Sequence, residues 1–309
     1  MRLLTIFLFM AAAARLPAVI VYGTNGTGNN NLSAPVDDPG WANVGKVDGA
    51  TAIYLGSTTT GYWMLTANHV ILSSGIVVLN NTSYLITGNA TQIGNADIKV
   101  FRIQQDPGLP SVVISSSAPQ VGASVVMIGN GRTQGAEKTW NGNPSGWGSP
   151  GSAAAGYEWG DSNVVRWGTN IVQGNSLGVV SGSTTFSTIF NDTTNPNEAQ
   201  ASLGDSGGAV FVKNGLFWEL TGLMTNVGVW TGLSYAAAFT GQPSSVSLYS
   251  ANTGIPGAGS ATFSVQLANY RSAILTAIPE PSPVGSMLAA GGVLILLTVR
   301  KFTRRARET

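Results

Sequence analysis

The stretch Leu203-Gly204-Asp205-Ser206-Gly207-Gly208-Ala209-Val210 decides how this chain is read. It is a glycine-bounded turn that feeds an apolar strand. A serine on such a turn projects its hydroxyl clear of the backbone. The flanking glycines permit positive φ and let a second backbone segment come close. The amides of Gly204 and Ser206 are placed to point at one spot, which is what an oxyanion requires. Serine alone is a weak nucleophile, so the rest of the chain has to supply a base and a group that orients it.

The base has one candidate, because His69 is the only histidine. It sits in Leu65-Thr66-Ala67-Asn68-His69-Val70, just after a predicted strand. A lone histidine is more often structural or superficial than catalytic. Beside a serine on a glycine turn, it is the side chain suited to proton transfer near pH 7. Thr66 is expected to cap a short helical turn that carries it. Asp97, in Asn95-Ala96-Asp97-Ile98-Lys99-Val100-Phe101-Arg102-Ile103, immediately precedes an alternating strand. An aspartate there is commonly a turn residue. Its other role is to accept the Nδ1–H of a histidine, fixing the tautomer and stabilising the imidazolium. Each segment alone is modest; the order His, Asp, Ser with strand contexts around each is far more specific.

Short β-like runs separated by turn residues begin at Trp41. They cover 52–55, 62–66, 76–79, 84–87, 98–103, 112–115 and 124–128. They resume at 164–167, 177–180, 186–190, 209–213, 217–224, 235–239 and 262–267, after a Gly-, Asn- and Trp-rich region at 130–163 with few strand signals. Many strands at short spacing predict an antiparallel sandwich or a pair of barrels. Apolar residues at 267, 270, 274, 275 and 278 predict one helix closing the β region.

The three segments together resemble the chymotrypsin/trypsin-fold serine proteases. Thr66-Ala67-Asn68-His69-Val70 is similar to their histidine segment, Ala96 to Ile103 to their aspartate segment, and Gly204-Asp205-Ser206-Gly207-Gly208 to their nucleophile signature. The resemblance covers roughly residues 41–278. It implies an all-β fold of two six-stranded antiparallel barrels with a C-terminal helix, divided near 130–163. It implies Ser206 as nucleophile, His69 as base and then acid, Asp97 as orienter, and the Gly204 and Ser206 amides as oxyanion donors. By the same analogy Gln200 lies near the base of the specificity pocket, where a neutral residue does not favour cleavage after Arg or Lys. Thr225 matches the strand that lines the substrate backbone. Asp205 matches the aspartate that in many members pairs with a newly freed N-terminus, although no Arg or Lys followed by Ile-Val-Gly-Gly is present. Val70 stands where many members place a disulfide cysteine.

Composition sets the outer bounds. There is no cysteine, so disulfides, thiolate chemistry and Cys-ligated metals are excluded. One histidine leaves only oxygen ligands for a protein metal site, a set suited to Ca²⁺ rather than Zn²⁺; no cofactor or metal is expected. Five of the 15 basic residues follow position 299, and the stretch 16–278 keeps eight basic against 12 acidic residues, a net charge of −4. That leaves no basic footprint for nucleic acid.

Both ends read as processing signals. Arg2, the apolar run Leu3–Ala14 and the small residues Ala11–Ala14 have the form of a secretory signal peptide, placed at 1–22, before a polar linker at 23–40. At the other end, Pro279-Glu280-Pro281-Ser282-Pro283 precedes an uncharged apolar stretch at 284–299 and the cluster Arg300, Lys301, Arg304, Arg305 and Arg307. An ordinary membrane anchor is one reading, on the short side of a spanning helix. The order also resembles the PEP-CTERM sorting signal of Gram-negative bacteria, which makes 279–309 an address read by an exosortase. The expectation is therefore an exported serine endopeptidase acting on protein or peptide. A protease-fold surface or matrix protein that binds without cutting is the alternative, with Trp140, Trp147, Trp159 and Trp167 as a binding platform. An esterase using the same three residues is another.

Overall fold

A computed structural model describes residues 19–23, 31–140, 154–190, 194–228, 237–240 and 261–278. The signal-like residues 1–18, Trp147 and the whole 279–309 tail lie outside them. Two closed six-stranded antiparallel barrels make up the fold. The first is built from β2 (Val44–Val47), β3 (Ala50–Thr58), β4 (Gly61–Thr66), β5 (Ile76–Leu79), β6 (Thr82–Gln92) and β7 (Lys99–Ile103), in the order β2-β3-β4-β7-β6-β5. The second uses β8 (Ser124–Gly129), β11 (Arg166–Val180), β12 (Ser183–Ile189), β14 (Ala209–Asn214), β15 (Phe217–Val227) and β17 (Ala261–Gln266), in the order β11-β12-β17-β15-β14-β8. This is a chymotrypsin-like architecture, and closure pairs each barrel strand on both sides over most of its length.

Local sequence sets the hairpins. Asp48-Gly49, Asn80-Asn81 and Ser181-Gly182 all have positive φ at both positions and each forms a two-residue connection. That is the turn whose twist matches paired strands, and Gly, Asn and Asp are the residues that tolerate it. Register is fixed by alternation. On β8, Val126 and Ile128 pack into the cluster shared with the first barrel, whereas Val125 and Met127 point into the second barrel's own cluster. β14 does the same, with Ala209 and Phe211 toward the first and Val210 toward the second. A one-residue slip would exchange the two cores, so the pairing is strongly specified.

Several boundaries differ from the sequence expectation. The barrels part between β7 and β8, across residues 104–123, and not at 130–163. That later region holds two strands, β9 (Arg132–Trp140) and β10 (Ala154–Asn163), paired with each other and with β16 (Ala237–Thr240) in a separate three-stranded sheet. The expected strand at 112–115 is a single bridge, Ile114 to Leu220. The expected helix at 267–278 is a 3₁₀ turn, Leu267–Asn269, followed by α1, Arg271–Ala277, with Leu267 and Ile274 buried. Residues assigned to a leader ending at 22 include β1 (Ile20–Val21), paired with β13 (Ala199–Gln200). Val19, Ile20 and Val21 are buried in the fold. No helix of the described residues is long and apolar enough to cross a membrane.

Candidate active site

His69 lies in the turn that follows β4, where the Val70 amide donates to the Ala67 carbonyl at 3.1 Å. The expected Thr66 cap does not form, because the Thr66 hydroxyl donates instead to the Thr51 carbonyl at 2.7 Å. Asp97 sits at the mouth of β7, 5% exposed, while the His69 side chain is 48% exposed. The two are locked twice. The His69 amide donates to Asp97 Oδ1 at 2.9 Å, and His69 Nδ1 lies 2.7 Å from Asp97 Oδ2. A carboxylate only accepts, so Nδ1 carries the proton and Nε2 is left as an acceptor. His69 Nε2 is 2.8 Å from Ser206 Oγ, which donates to it. The structure thus brings together the three residues singled out in the sequence, two from the first barrel and one from the second.

The second barrel also holds the aspartate. Ser183 Oγ accepts from the Asp97 amide at 2.7 Å, and the Thr225 hydroxyl donates to Asp97 Oδ2. Burial by itself pushes the Asp97 carboxyl up. The hydrogen bonds from His69 and Thr225 outweigh it and hold the group below the ordinary 3.8. Lys99 is close by; burial pulls its ammonium down while Asp97 pulls it back up. Its Nζ donates to the carbonyls of Asn68 and Val70, which fixes the histidine turn from below.

The turn that carries Ser206 is shaped by glycine. Gly204 has φ +100° and Gly207 φ +83°, conformations that strain any residue with a Cβ. A Cβ on Gly204 would also meet Asn163 and the Asn130 carbonyl. The Gly204 and Ser206 amides donate to no acceptor among the described residues. Two unengaged N–H groups beside the hydroxyl are donors of the kind an oxyanion needs. Thr51, buried on β3, ties this turn to the first barrel. Its hydroxyl donates to the Gly204 carbonyl at 2.9 Å and accepts from the Asn130 amide at 2.8 Å, and its amide donates to the Ser206 carbonyl at 3.0 Å.

Asp205, next to Ser206, points the other way into the protein and is 1% exposed. It accepts from the Gly131 amide at 2.7 Å, the Ser202 amide at 2.8 Å and the Ser202 hydroxyl at 3.1 Å. The Val19 amide is a further donor. Burial pushes this carboxyl up to about 7 against the pull of those donors. Fully buried Arg166 feels its charge, and donates from Nη1 to the Val19 carbonyl at 3.2 Å. Asp205 therefore meets the 19–21 strand through the main-chain amide of Val19.

Gln200 is fully buried on β13 opposite Ile20, and its side-chain amide has no hydrogen-bond partner among the described residues. Thr225 contacts the aspartate directly, a contact the sequence does not announce. Ser183 and Thr51 carried no local signal at all. Of the tryptophans considered as a platform, Trp167 donates from Nε1 to the Ser33 carbonyl at 2.9 Å and Trp159 packs on Ile20, Tyr157 and Phe190. Among the described residues no three His, Cys, Asp or Glu side chains gather as a metal site would require.

No protein-family model and no curated protein matches the chain. Solved structures do. The HtrA-type protease AlgW, in complex with a decapeptide, is 19% identical over 73% of this chain and 51% of its own, with a TM-score of 0.39. An inactive form of Rv3671c from M. tuberculosis is 13% identical over 81% of this chain and 95% of its own, with a TM-score of 0.45. The chain thus spans about half the length of AlgW.

Proposed function

We propose that this chain is a serine endopeptidase that works through an acyl-enzyme. The observation carrying the reading is His69 bridging Asp97 at 2.7 Å and Ser206 at 2.8 Å where the two barrels meet. In this mechanism Ser206 Oγ attacks a peptide carbonyl as its proton passes to His69 Nε2. Asp97, fixed as a carboxylate by His69 and Thr225, stabilises the imidazolium. The Gly204 and Ser206 amides take the negative charge that builds on the carbonyl oxygen. His69 then gives the proton to the leaving amine, and water repeats the sequence to release the acid. The protein is exported, and its 279–309 tail serves as a sorting signal read by an exosortase at the envelope of a Gram-negative bacterium. The Pro-Glu-Pro, apolar and Arg-rich order supports that part of the reading.

The test is the Ser206→Ala protein. Peptide hydrolysis is expected to fall by about 10⁴-fold or more, with loss of labelling by a fluorophosphonate. Equal hydrolysis by the two proteins would sink the proposal.

A further inference from the structure

Beside His69, on the side away from Ser206, lies a cleft of about 310 Å³. Both barrels build it. The first gives Asn68, Gln92 and Asn95 together with the His69–Asp97 pair; the second gives Ser181, at the β11–β12 turn, and Asn226 on β15. Apart from the His69–Asp97 pair, the side chains lining it are uncharged. Four of them are carboxamides, a group that donates and accepts. Gln92 Nε2 already donates to the Ala96 carbonyl at 3.1 Å and Asn226 Oδ1 already accepts from the Ser181 hydroxyl at 3.1 Å, which leaves Gln92 Oε1 and Asn226 Nδ2 to face a ligand. Lys99, two residues beyond Asp97, spends its ammonium on the Asn68 and Val70 carbonyls.

A substrate strand has a track into this cleft. β15 pairs with β17 as far as Val227, whereas on its other side pairing with β14 ends at Leu223, followed only by Met224, whose amide donates to the Gly208 carbonyl and whose carbonyl accepts from the Gly207 amide. Among the described residues no strand pairs with the opposite edge of Thr225, Asn226 and Val227, which runs beside the cleft. An extended peptide that adds to such an edge places alternate side chains toward the surface beneath it.

We infer that this cleft is a specificity site for an uncharged, hydrogen-bonding side chain of the substrate, namely Asn, Gln, Ser or Thr, held within about three residues of the scissile bond. The inference rests on the protease reading above and adds its substrate class. A carboxamide or hydroxyl exchanges hydrogen bonds with Asn68, Gln92, Asn95 and Asn226. An aliphatic side chain strips water from those amides without replacing it, and a charged one finds no counter-charge outside the His69–Asp97 pair. Sites built this way reject analogues that lack the polar group more strongly than apolar pockets reject a misfit.

Two measurements test it. A proteome-derived peptide library digested by the active protein is expected to show Asn, Gln, Ser and Thr enriched at one position within three residues of the cut. The double variant Gln92→Leu with Asn95→Leu, which leaves His69, Asp97 and Ser206 in place, is expected to shift the ratio of kcat/KM toward an aliphatic residue there by about tenfold. The ratio is taken within each protein, and fluorophosphonate labelling shows that Ser206 of the double variant is still reactive. In parallel, Ser206→Ala protein is titrated with paired peptides that differ only by Asn or Leu at that position; the Asn peptide is expected to bind about tenfold more tightly, and the double variant to lose the difference. Normal labelling with no polar preference, or with an aliphatic or charged preference at every flanking position, overturns the cleft assignment and leaves the protease reading standing. Failure of the wild-type protein to label or cleave overturns the protease reading, while the binding comparison still decides whether the cleft selects polar side chains.

Discussion

A carboxylate is useful to a histidine only while it stays ionised and aimed. Asp97 achieves both by taking donors from two barrels: the amide and imidazole of His69, and the Thr225 hydroxyl. Thr225→Val keeps the shape and removes one donor to a buried charge, an interaction worth about 1.5–3 kcal/mol. We expect kcat/KM to fall roughly tenfold, with KM little changed and Thr225→Ser restoring activity, as steady-state kinetics will show. The three central residues were legible in the sequence because each sits in a short segment of distinctive chemistry, and because His69 has no rival. Their support was not legible. Ser183 lies 86 positions from the Asp97 amide it accepts from, and Thr51 lies 153 from Gly204, so only the folded barrels disclose those contacts. The resemblance places Thr225 on a strand that lines the substrate backbone, and in the structure its hydroxyl donates to the aspartate.

Among the elements, the barrel strands could be read because apolar residues alternate within short runs bounded by turn residues. β9 and β10 could not. Arg132-Thr133-Gln134 and Gly160-Asp161-Ser162-Asn163 show no apolar alternation, and their pairing contains register shifts at Tyr157, Trp159 and Asn163. β1 was misplaced for the opposite reason. Val19-Ile20-Val21 is apolar and close to the N-terminus, and composition cannot separate the end of a leader from a buried strand. In the structure Ile20 is fully buried, packed with Tyr157 and Phe190 and paired with Gln200. Ile20→Ala should therefore cost about 3 kcal/mol and lower the melting temperature by roughly 6–12 °C, measurable by calorimetry or dye fluorescence. A surface strand would show almost no change. Trimming the chain past Val19 would do more harm, since it also removes the amide that serves Asp205.

For the whole molecule, the buried acid beside Ser206 sets a pH dependence of stability. In the unfolded chain Asp205 ionises near 3.8, and in the folded protein near 7. Between those values the folded state keeps a proton that the unfolded state has lost, so this group's contribution to stability falls as pH rises through the window. Arg166, which burial pulls down to about 9, stays charged throughout it. Asp97 acts in the opposite sense: its folded value lies below 3.8, so the stability it adds is lost only on further acidification. Urea midpoints of Ser206→Ala protein, which avoids self-digestion, should therefore drop between pH 5 and pH 8. The drop should shrink when Asp205→Asn is added. Equal slopes in the two proteins would show that Asp205 is not the group responsible.

Thr51 gives the molecule one more property. Its amide and hydroxyl hold the carbonyls of Ser206 and Gly204, and its own carbonyl lies where a Cβ on Gly207 would go. The first barrel is in this sense the mould against which the nucleophile turn of the second barrel is cast. Any fluctuation that parts the barrels also releases that turn and draws Ser206 away from His69. Reactivity of the serine is then a gauge of barrel docking, and a molecule with both barrels folded but undocked would be chemically silent.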